Sequence, residues 1–262
     1  TIANSVTPKL LLTSSLLALT DRPLGKLAQG GLPKTSKDVM LDKSKANRTK
    51  QTMTKPRILV QYGSLRSNSV SSKLADEVAY FLSQLGADVR IADPNLPLYN
   101  EEMRDDPKVQ EYMKLVDWAD GYAWISPELH GTIASVMKNQ VDWMQLSVGA
   151  TRPTQGKTLA LFQVEGGSQS FNTVNLMRQM GRWMRMLTIP NQSSIPKAYQ
   201  EFNENGSLKE GPFRNRVIDV AEELIKFTEL TKDKIDFLTD RYSERVETGE
   251  ELATRMNLAQ AL

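Results

Sequence analysis

The residues of this chain that could do chemistry are serines, arginines and loop glycines rather than cysteine or histidine. The 262 residues contain no Cys and a single His, His130, which lies in the stretch ISPELHG at 125–131. Without cysteine there is no disulfide, no thiolate metal site and no cysteine nucleophile. A zinc site made of one imidazole and carboxylates would be exceptional, so we expect no metal site.

The stretch GSLRSNSVSS at 63–72 follows an apolar run and leads into a predicted helix. It is neither a Walker loop nor a dinucleotide fingerprint, because GK[ST] and GxGxxG are both missing. The free N–H groups at a helix start favour an anion. Ser64, Ser69 and Ser71 could donate to phosphate oxygens, and Arg66 could add charge-assisted contacts. The alternative is a polar turn with a serine N-cap.

Two further polar loops follow apolar runs. In ISPELHG, Pro127 and Gly131 predict a tight loop, and EGGSQSF at 165–171 predicts a glycine turn whose N–H groups face the same crevice. The three loops suit a phosphate, the edge of a flat ring and a ring carbonyl, which are the parts of flavin mononucleotide (FMN). Each loop alone is commonly only a turn, so the prediction depends on their combination. Within it, His130 is interpreted as shaping the loop or touching the ring edge rather than moving protons.

The spacing of apolar residues along the chain predicts the strands and helices that position these loops. Near-continuous apolar runs are typical of strands buried on both faces, and 3.6-residue spacing is typical of helices. The predicted strands are 57–62, 88–92, 121–126, 158–164 and 187–190, and the predicted helices are 71–85, 107–118, 132–147, 169–186 and 212–238. This order predicts an α/β fold, an open, doubly wound five-stranded parallel sheet with helices on both faces. Ligands of such sheets bind outside the carboxyl ends of the strands.

The charge distribution divides the chain into three parts. Residues 1–55 carry ten Lys and Arg against three Asp and Glu, whereas the rest carries 23 against 28. We expect 1–55 to be a basic Ser/Thr/Lys-rich leader or flexible arm, 56–239 the folded domain and 240–262 a charged C-terminal tail. A folded part that is not basic argues against nucleic-acid binding. The apolar run at 10–20 is too short to span a bilayer, so we expect no membrane partner.

The leader leaves the compartment open between two alternatives. Its Ser, Thr and Lys content fits an organelle transit peptide or a secretory segment. It also fits an arm that packs on a neighbouring subunit. We therefore expect a cytoplasmic protein, or an organellar one if the leader is a transit peptide.

Longer motifs identify a family. GSLRxxSxS, SPExHGxxxxxMKxQxDW, RPTQGKTLA, GGSQSFNxVN, GRWMRM and TIPNQSS occur in this order between about residues 57 and 235. Together they resemble the ArsH-type flavoproteins, which are arsenic-resistance-associated members of the NADPH-dependent FMN reductases. The resemblance implies a flavodoxin-like fold, FMN and NADPH as cofactors, and a homotetramer. It does not cover the leader or the last two dozen residues.

The resemblance also implies the site residues. By motif position, the phosphate of FMN would be bound by Ser64, Arg66, Ser69 and Ser71. The ring and ribityl chain would be bordered by Pro127, Glu128, Leu129, His130 and Gly131. The pyrimidine end would meet Gly167, Ser168, Gln169 and Ser170. Two positions differ from the family pattern, which usually has arginine in place of Ser72 and of Leu129. These differences concern nucleotide preference and acceptor range rather than FMN binding.

The expected function is that of an FMN-dependent oxidoreductase. Hydride would pass from NADPH to flavin N5 and on to small acceptors such as quinones, azo compounds, ferric complexes, oxygen or trivalent organoarsenicals. No catalytic side chain is expected, because the cofactor carries the chemistry and the protein orients it. Without thiolates, an organoarsenical would react directly at the flavin or by way of oxygen products. The alternatives are a flavodoxin-type electron carrier without NADPH turnover and an α/β interaction module without cofactor.

The predicted helix near 168–187 carries two apolar stripes. Phe171, Val174, Met177, Gly181 and Met184 form one, and Leu176, Met180, Trp183 and Leu187 form the other. One stripe could cover the sheet and the other a subunit interface, or both could be buried within one domain. Arg178, Arg182 and Arg185 on this helix could pair with carboxylates or meet the 2′-phosphate of NADPH.

Overall fold

The computed structural model describes residues 54–144 and 152–255, and almost all of the expected leader lies outside this range. Five parallel strands form an open sheet in the order β2-β1-β3-β5-β6, and a short β4 pairs antiparallel with β3. The strands are β1 Arg57–Tyr62, β2 Asp88–Ile91, β3 Gly121–Leu129, β4 Thr132–Ile133, β5 Thr158–Val164 and β6 Leu187–Ile195. The predicted five-stranded parallel sheet is confirmed, and the order reverses between β1 and β3, as in flavodoxin-like sheets.

Helices cover both faces of the sheet, as the sequence predicts. They are α1 Val70–Gln84, α2 Pro107–Trp118, α3 Ser135–Trp143, α4 Asn172–Trp183, α5 Pro212–Thr231, α6 Ile235–Thr239, α7 Tyr242–Val246 and α8 Gly249–Arg255. Side chains alternate across a strand, so Ile58 and Val60 pack with α1 and α5, whereas Leu59 packs with α2, α3 and α4. No described helix is both long and apolar enough to cross a bilayer.

The stretch predicted to be a loop after the third strand is a β-hairpin. β3 continues to Leu129, and Thr132 pairs with Leu129. The turn residues His130 and Gly131 have φ values of 53° and 74°, which are the left-handed conformations that a two-residue hairpin turn requires. The following helix therefore begins at Ser135 rather than at residue 132.

In the carboxyl-terminal half, the structure also moves the boundaries of one predicted strand and one predicted helix. β6 runs past Pro190 to Ile195, with a register shift against β5 between Leu159 and Leu161. The predicted helix 212–238 ends at Thr231, and a 3₁₀ turn over Lys232–Lys234 separates it from α6. No glycine or proline marks that break in the sequence.

The two apolar stripes on α4 have different environments. Val174, Met177, Gly181 and Met184 are buried against the sheet. The prediction that Phe171 belongs to this buried stripe is wrong, since its side chain is 47% exposed. The second stripe faces outward in the single chain, where Trp183 is 61% exposed.

Candidate functional site

A crevice lies at the carboxyl ends of β1, β3 and β5, where the strand order reverses. It consists of two adjoining cavities of about 530 and 360 Å³ that share Glu128, Glu165 and Gly166. Every residue predicted for the site lines one of them: Ser64, Arg66, Ser69, Ser71, Pro127, Glu128 and Leu129 the first, and Glu128, His130, Gly131, Gly167, Ser168, Gln169 and Ser170 the second. A cavity of about 610 Å³ lies elsewhere, along α4.

Residues 63–72, which lead from β1 into α1, are organised by serine hydroxyls, and we call them the serine loop. Ser69 is the N-cap of α1, and its Oγ accepts a hydrogen bond from the backbone N–H of Ser72 (3.1 Å). The Ser72 hydroxyl donates back to the Ser69 carbonyl (2.8 Å), and the Oγ atoms of Ser69 and Ser71 lie 3.3 Å apart. Ser64 Oγ accepts from the Arg66 N–H (3.2 Å). The loop is therefore a capped turn with hydroxyls and a helix start at its centre, which suits an anion.

Arg66 provides the charge at this end of the crevice. Its side chain is exposed and makes no hydrogen bond or ion pair with any residue in the described part of the chain. Asn68, two residues later, adopts a φ of 54°, so the chain turns sharply before α1. An exposed guanidinium that lines a cavity and has no ion-pair partner among the described residues can form bidentate bonds to a phosphate.

The hairpin of β3 and β4 forms one wall of the crevice. The backbone N–H of Ala134 donates to Ser126 Oγ (3.1 Å), which ties the end of the hairpin to β3. Glu128 Oε2 accepts from Gln163 Nε2 on β5 (2.8 Å), so its carboxylate is fixed between the two cavities. His130 occupies the hairpin turn and lines the second cavity. A left-handed φ is more accessible to histidine than to β-branched residues, which gives His130 a conformational role.

The loop at 166–170 is supported from below by Glu165. Its Oε1 accepts from the Ser170 N–H (2.8 Å) and from Ser194 Oγ (3.1 Å), and the carboxylate is buried. The Ser170 carbonyl accepts from Gln163 Nε2 (3.0 Å). The expectation that all N–H groups of this turn face the crevice is therefore wrong for Ser170, whose N–H is used within the protein.

The glycines of this loop leave its backbone accessible. A Cβ atom placed on Gly166 or Gly167 would meet no heavy atom within 4 Å. Residues 166–169 are exposed, whereas Glu165 beside them is buried. The N–H groups of Gly167, Ser168 and Gln169 are consequently the donors that this loop can offer to a ligand.

Sequence reasoning missed several residues of the crevice. Glu165 preceded the glycines in the quoted motif but carried no signal for its buried hydrogen bonds. Ala198 and Tyr199 line the first cavity from the connection after β6, where nothing in the sequence indicated proximity. The apolar side chains Leu65, Val136 and Val164 also line it.

A buried polar network supports the β1 end of the crevice. Gln140 Nε2 on α3 donates to the carbonyl of Tyr62, the last residue of β1 (2.9 Å). Gln61 joins Trp124 Nε1 (2.9 Å) to the hydroxyl of Tyr112 (2.7 Å). Burial, followed by the charge of Asp93, raises the pKa of Tyr62. The network fixes the point at which the chain leaves the sheet for the serine loop.

Comparison with known proteins agrees with this arrangement. The family described as NADPH-dependent FMN reductase matches residues 56–200. The NADPH-dependent FMN reductase ArsH of Rhizobium meliloti is 56% identical over 205 residues, which are 78% of this chain and 85% of that protein. The protein of the same name from Acidithiobacillus ferrooxidans is 52% identical over 233 residues, 87% of this chain and 98% of that one.

The fold also has solved counterparts. FerB, a flavoenzyme NAD(P)H:(acceptor) oxidoreductase from Paracoccus denitrificans, superposes with a TM-score of 0.52 at 20% identity, covering 69% of this chain and 98% of that chain. At this identity the likeness concerns the fold alone. The family match and the identities above 50% are what decide the assignment: the chain belongs to the NADPH-dependent FMN reductases and, among them, to the ArsH type.

Proposed function

We propose that the crevice binds FMN and that the enzyme uses NADPH to reduce small acceptors there. The observation that carries the proposal is the meeting of the serine loop, the hairpin and the 166–170 loop in one crevice at the switch point. The two adjoining cavities have the size range of small-molecule sites. Membership of the family supports FMN and NADPH as the cofactors.

The described residues fit the three parts of FMN. Arg66, the serine hydroxyls and the start of α1 would hold the phosphate. Pro127, Val136, Val164 and Ala198 give the first cavity apolar walls for a flat ring. The N–H groups of 167–169 would meet the polar edge of the pyrimidine ring.

The chain contributes binding and electrostatics. When bound, FMN supplies the hydride chemistry between NADPH and an acceptor. The N–H groups of Gly167, Ser168 and Gln169 stabilise negative charge at the pyrimidine edge. The hairpin wall and the apolar side chains exclude water from the ring. No side chain is required as a general acid or base. This is consistent with the position of His130, which occupies the turn of the hairpin.

The rim of the crevice favours flat, apolar acceptors. Three exposed apolar or aromatic side chains line the first cavity: Leu65 (59% exposed), Leu129 (50%) and Tyr199 (61%). Quinones and azo compounds match such a rim. Ferric complexes, oxygen and trivalent organoarsenicals are further proposed acceptors, and the last would react without protein sulfur because the chain has no cysteine.

An anaerobic titration tests the function. We expect purified protein saturated with FMN to be yellow and to lose its absorbance at about one equivalent of NADPH. Yellow protein that NADPH fails to bleach would instead favour the flavodoxin-type carrier. Protein that stays colourless after incubation with FMN would overturn both flavin functions.

The outward stripe of α4 supports the proposal that the enzyme is a homotetramer. Leu176, Met180 and Trp183 border the cavity of about 610 Å³, which reaches Ile133 on the hairpin. Exposed apolar surface of this kind is typical of subunit interfaces. A second subunit at this position would cover the stripe and pack against the hairpin.

Trp183→Glu is expected to lower the oligomeric state, because burying a carboxylate without a partner opposes association. Light scattering after size-exclusion chromatography would show a smaller assembly than that of the wild type. Leu230→Glu on α5 is the matched control, since Leu230 is also exposed but does not line this cavity. An unchanged assembly in Trp183→Glu, or the same loss in both variants, would contradict this interface.

A further inference from the structure

A cleft separate from the crevice and from the cavity along α4 lies beside β6, between α4 and the start of α5. It has a volume of about 580 Å³, and we call it the edge cleft; its lining includes Gln169, Phe171, Arg178, Gln192, Phe213 and Arg216. Gln169 also lines the second cavity of the crevice. The edge cleft and the crevice are therefore neighbours, separated by the 166–170 loop.

Two arginines converge on this cleft from different helices. Arg178 on α4 donates to the carbonyls of Ile189 (2.9 Å) and Pro190 (3.2 Å) and to Gln192 Oε1 (2.8 Å). Arg216 on α5 donates to Asn191 Oδ1 (2.7 Å). Both guanidinium groups thus hold neighbouring residues of one strand.

The two arginines differ in how many of their N–H donors remain available to a ligand. Arg178 is largely occupied and acts as a fixed positive group. Arg216 makes this one hydrogen bond within the described chain, so most of its five N–H donors remain available. It is the group best placed to bind a ligand directly.

Among the described residues, the lining of the edge cleft contains two arginines and no acidic residue, although the charge of the nearby Glu223 acts on Arg178. The neighbouring Glu223 accepts a hydrogen bond from the backbone N–H of Asn191 (3.1 Å) and lies outside the lining. The start of α5 adds N–H groups without a side-chain cap. These features together favour an anion rather than a neutral ligand.

The cleft also offers surfaces to a flat ring. Phe171 is 47% exposed although it follows a glycine-rich loop and precedes a buried helix face. Phe213, Pro190 and Pro212 provide further apolar lining. Exposed aromatic faces beside a guanidinium are suited to a heteroaromatic ring that carries a phosphate.

We propose that the edge cleft binds the 2′-phosphoadenosine half of NADPH. The proposal rests on the proposed function, since it concerns the donor of that reaction. Arg216 bonds the 2′-phosphate, Arg178 supplies a second positive charge, and the adenine lies against the aromatic lining. The shared residue Gln169 marks the side from which the nicotinamide half reaches the crevice. NADH lacks the 2′-phosphate, so Arg216 discriminates between the two dinucleotides.

Arg216→Gln tests this assignment, and Arg214→Gln is its matched control. Both residues lie on α5 and lose the same charge, but Arg214 pairs with Glu210, packs over Phe81 and does not line the edge cleft. Calorimetry on the FMN-loaded enzyme would measure the binding of adenosine 2′,5′-bisphosphate and of adenosine 5′-monophosphate. Steady-state assays would measure KM for NADPH and for NADH.

In Arg216→Gln we expect the affinity for adenosine 2′,5′-bisphosphate to fall about tenfold or more and KM for NADPH to rise by a similar factor. Loss of a charge-assisted hydrogen bond lowers affinity by about this much. Monophosphate affinity and KM for NADH should change less than twofold, and Arg214→Gln should resemble wild type. Equal losses with and without the 2′-phosphate, or none, would overturn the proposal. So would a variant impaired only toward a sulfonated azo acceptor, which would assign the cleft to acceptors.

These outcomes are separable from failure of the proposed function. If wild-type protein binds no FMN, or if NADPH does not bleach it, the function itself fails. If wild-type protein is bleached by NADPH but Arg216→Gln keeps its preference over NADH, only the edge cleft assignment fails.

Discussion

Replacing Arg66 by alanine is expected to raise the dissociation constant for FMN by about ten- to a hundredfold. Arg66 is the one residue of the serine loop with a full positive charge, and its side chain forms no ion pair among the described residues, although Asp93 lines a small cavity beside it. The hydroxyls and helix start would still contact the phosphate but without charge compensation. Quenching of FMN fluorescence by titrated apoprotein would measure the change.

Two companion variants locate the effect of Arg66. Arg66→Lys should lose less affinity than Arg66→Ala, because it keeps the charge but not the bidentate geometry. Arg90→Ala removes an arginine that stacks on Trp118 outside the crevice, so its FMN affinity should equal that of wild type. If Arg66→Ala bound FMN like the wild type, the phosphate would have to lie elsewhere.

Glu165→Ala is expected to lower the free energy of unfolding by about 1 to 3 kcal/mol, because it leaves the Ser170 N–H without its acceptor. The Ser170 N–H depends on Glu165 Oε1 (2.8 Å), whereas the Ser194 hydroxyl also lies 2.6 Å from the Ser170 carbonyl and can donate there instead. Freed from this support, the 166–170 loop should also lose its fixed orientation, and FMN affinity should fall. Urea unfolding of the apoprotein and FMN titration would measure the two effects separately.

The conservative variant Glu165→Gln separates support of the loop from simple destabilisation. Glutamine keeps a carbonyl oxygen at the same reach, so most of the stability and FMN affinity should be retained. Exposed Glu229 on α5 offers a control in which alanine should change neither quantity. Normal FMN affinity in Glu165→Ala would show that the loop does not need this carboxylate.

The sequence by itself determined the sheet, its parallel strands and the loops that carry the site. β5 is buried at every position, and such near-continuous apolar runs occur where a strand is covered on both faces. Because parallel strands place their carboxyl ends at one edge, the loops after β1, β3 and β5 had to meet. The predicted residues of all three loops therefore line one crevice.

Local signals were weaker for the hairpin. Pro127 and Gly131 indicated a turn, but the continuation of β3 depends on pairing with β4. That pairing is possible because His130 and Gly131 both take positive φ values. Two residues of strand are too short to show a period of their own, so the sequence predicted a loop.

Only the tertiary structure decided which distant residues complete the site. Ser194, 29 positions from Glu165, contacts both that carboxylate and the Ser170 carbonyl, and Tyr199 reaches the crevice from the connection after β6. The edge cleft likewise joins Arg178 and Arg216 from two helices across one strand. Periodicity reports which face of an element is buried, but it contains no information on which other element covers that face. Contacts between distant segments follow from packing of the whole chain, and they were therefore visible only in the fold.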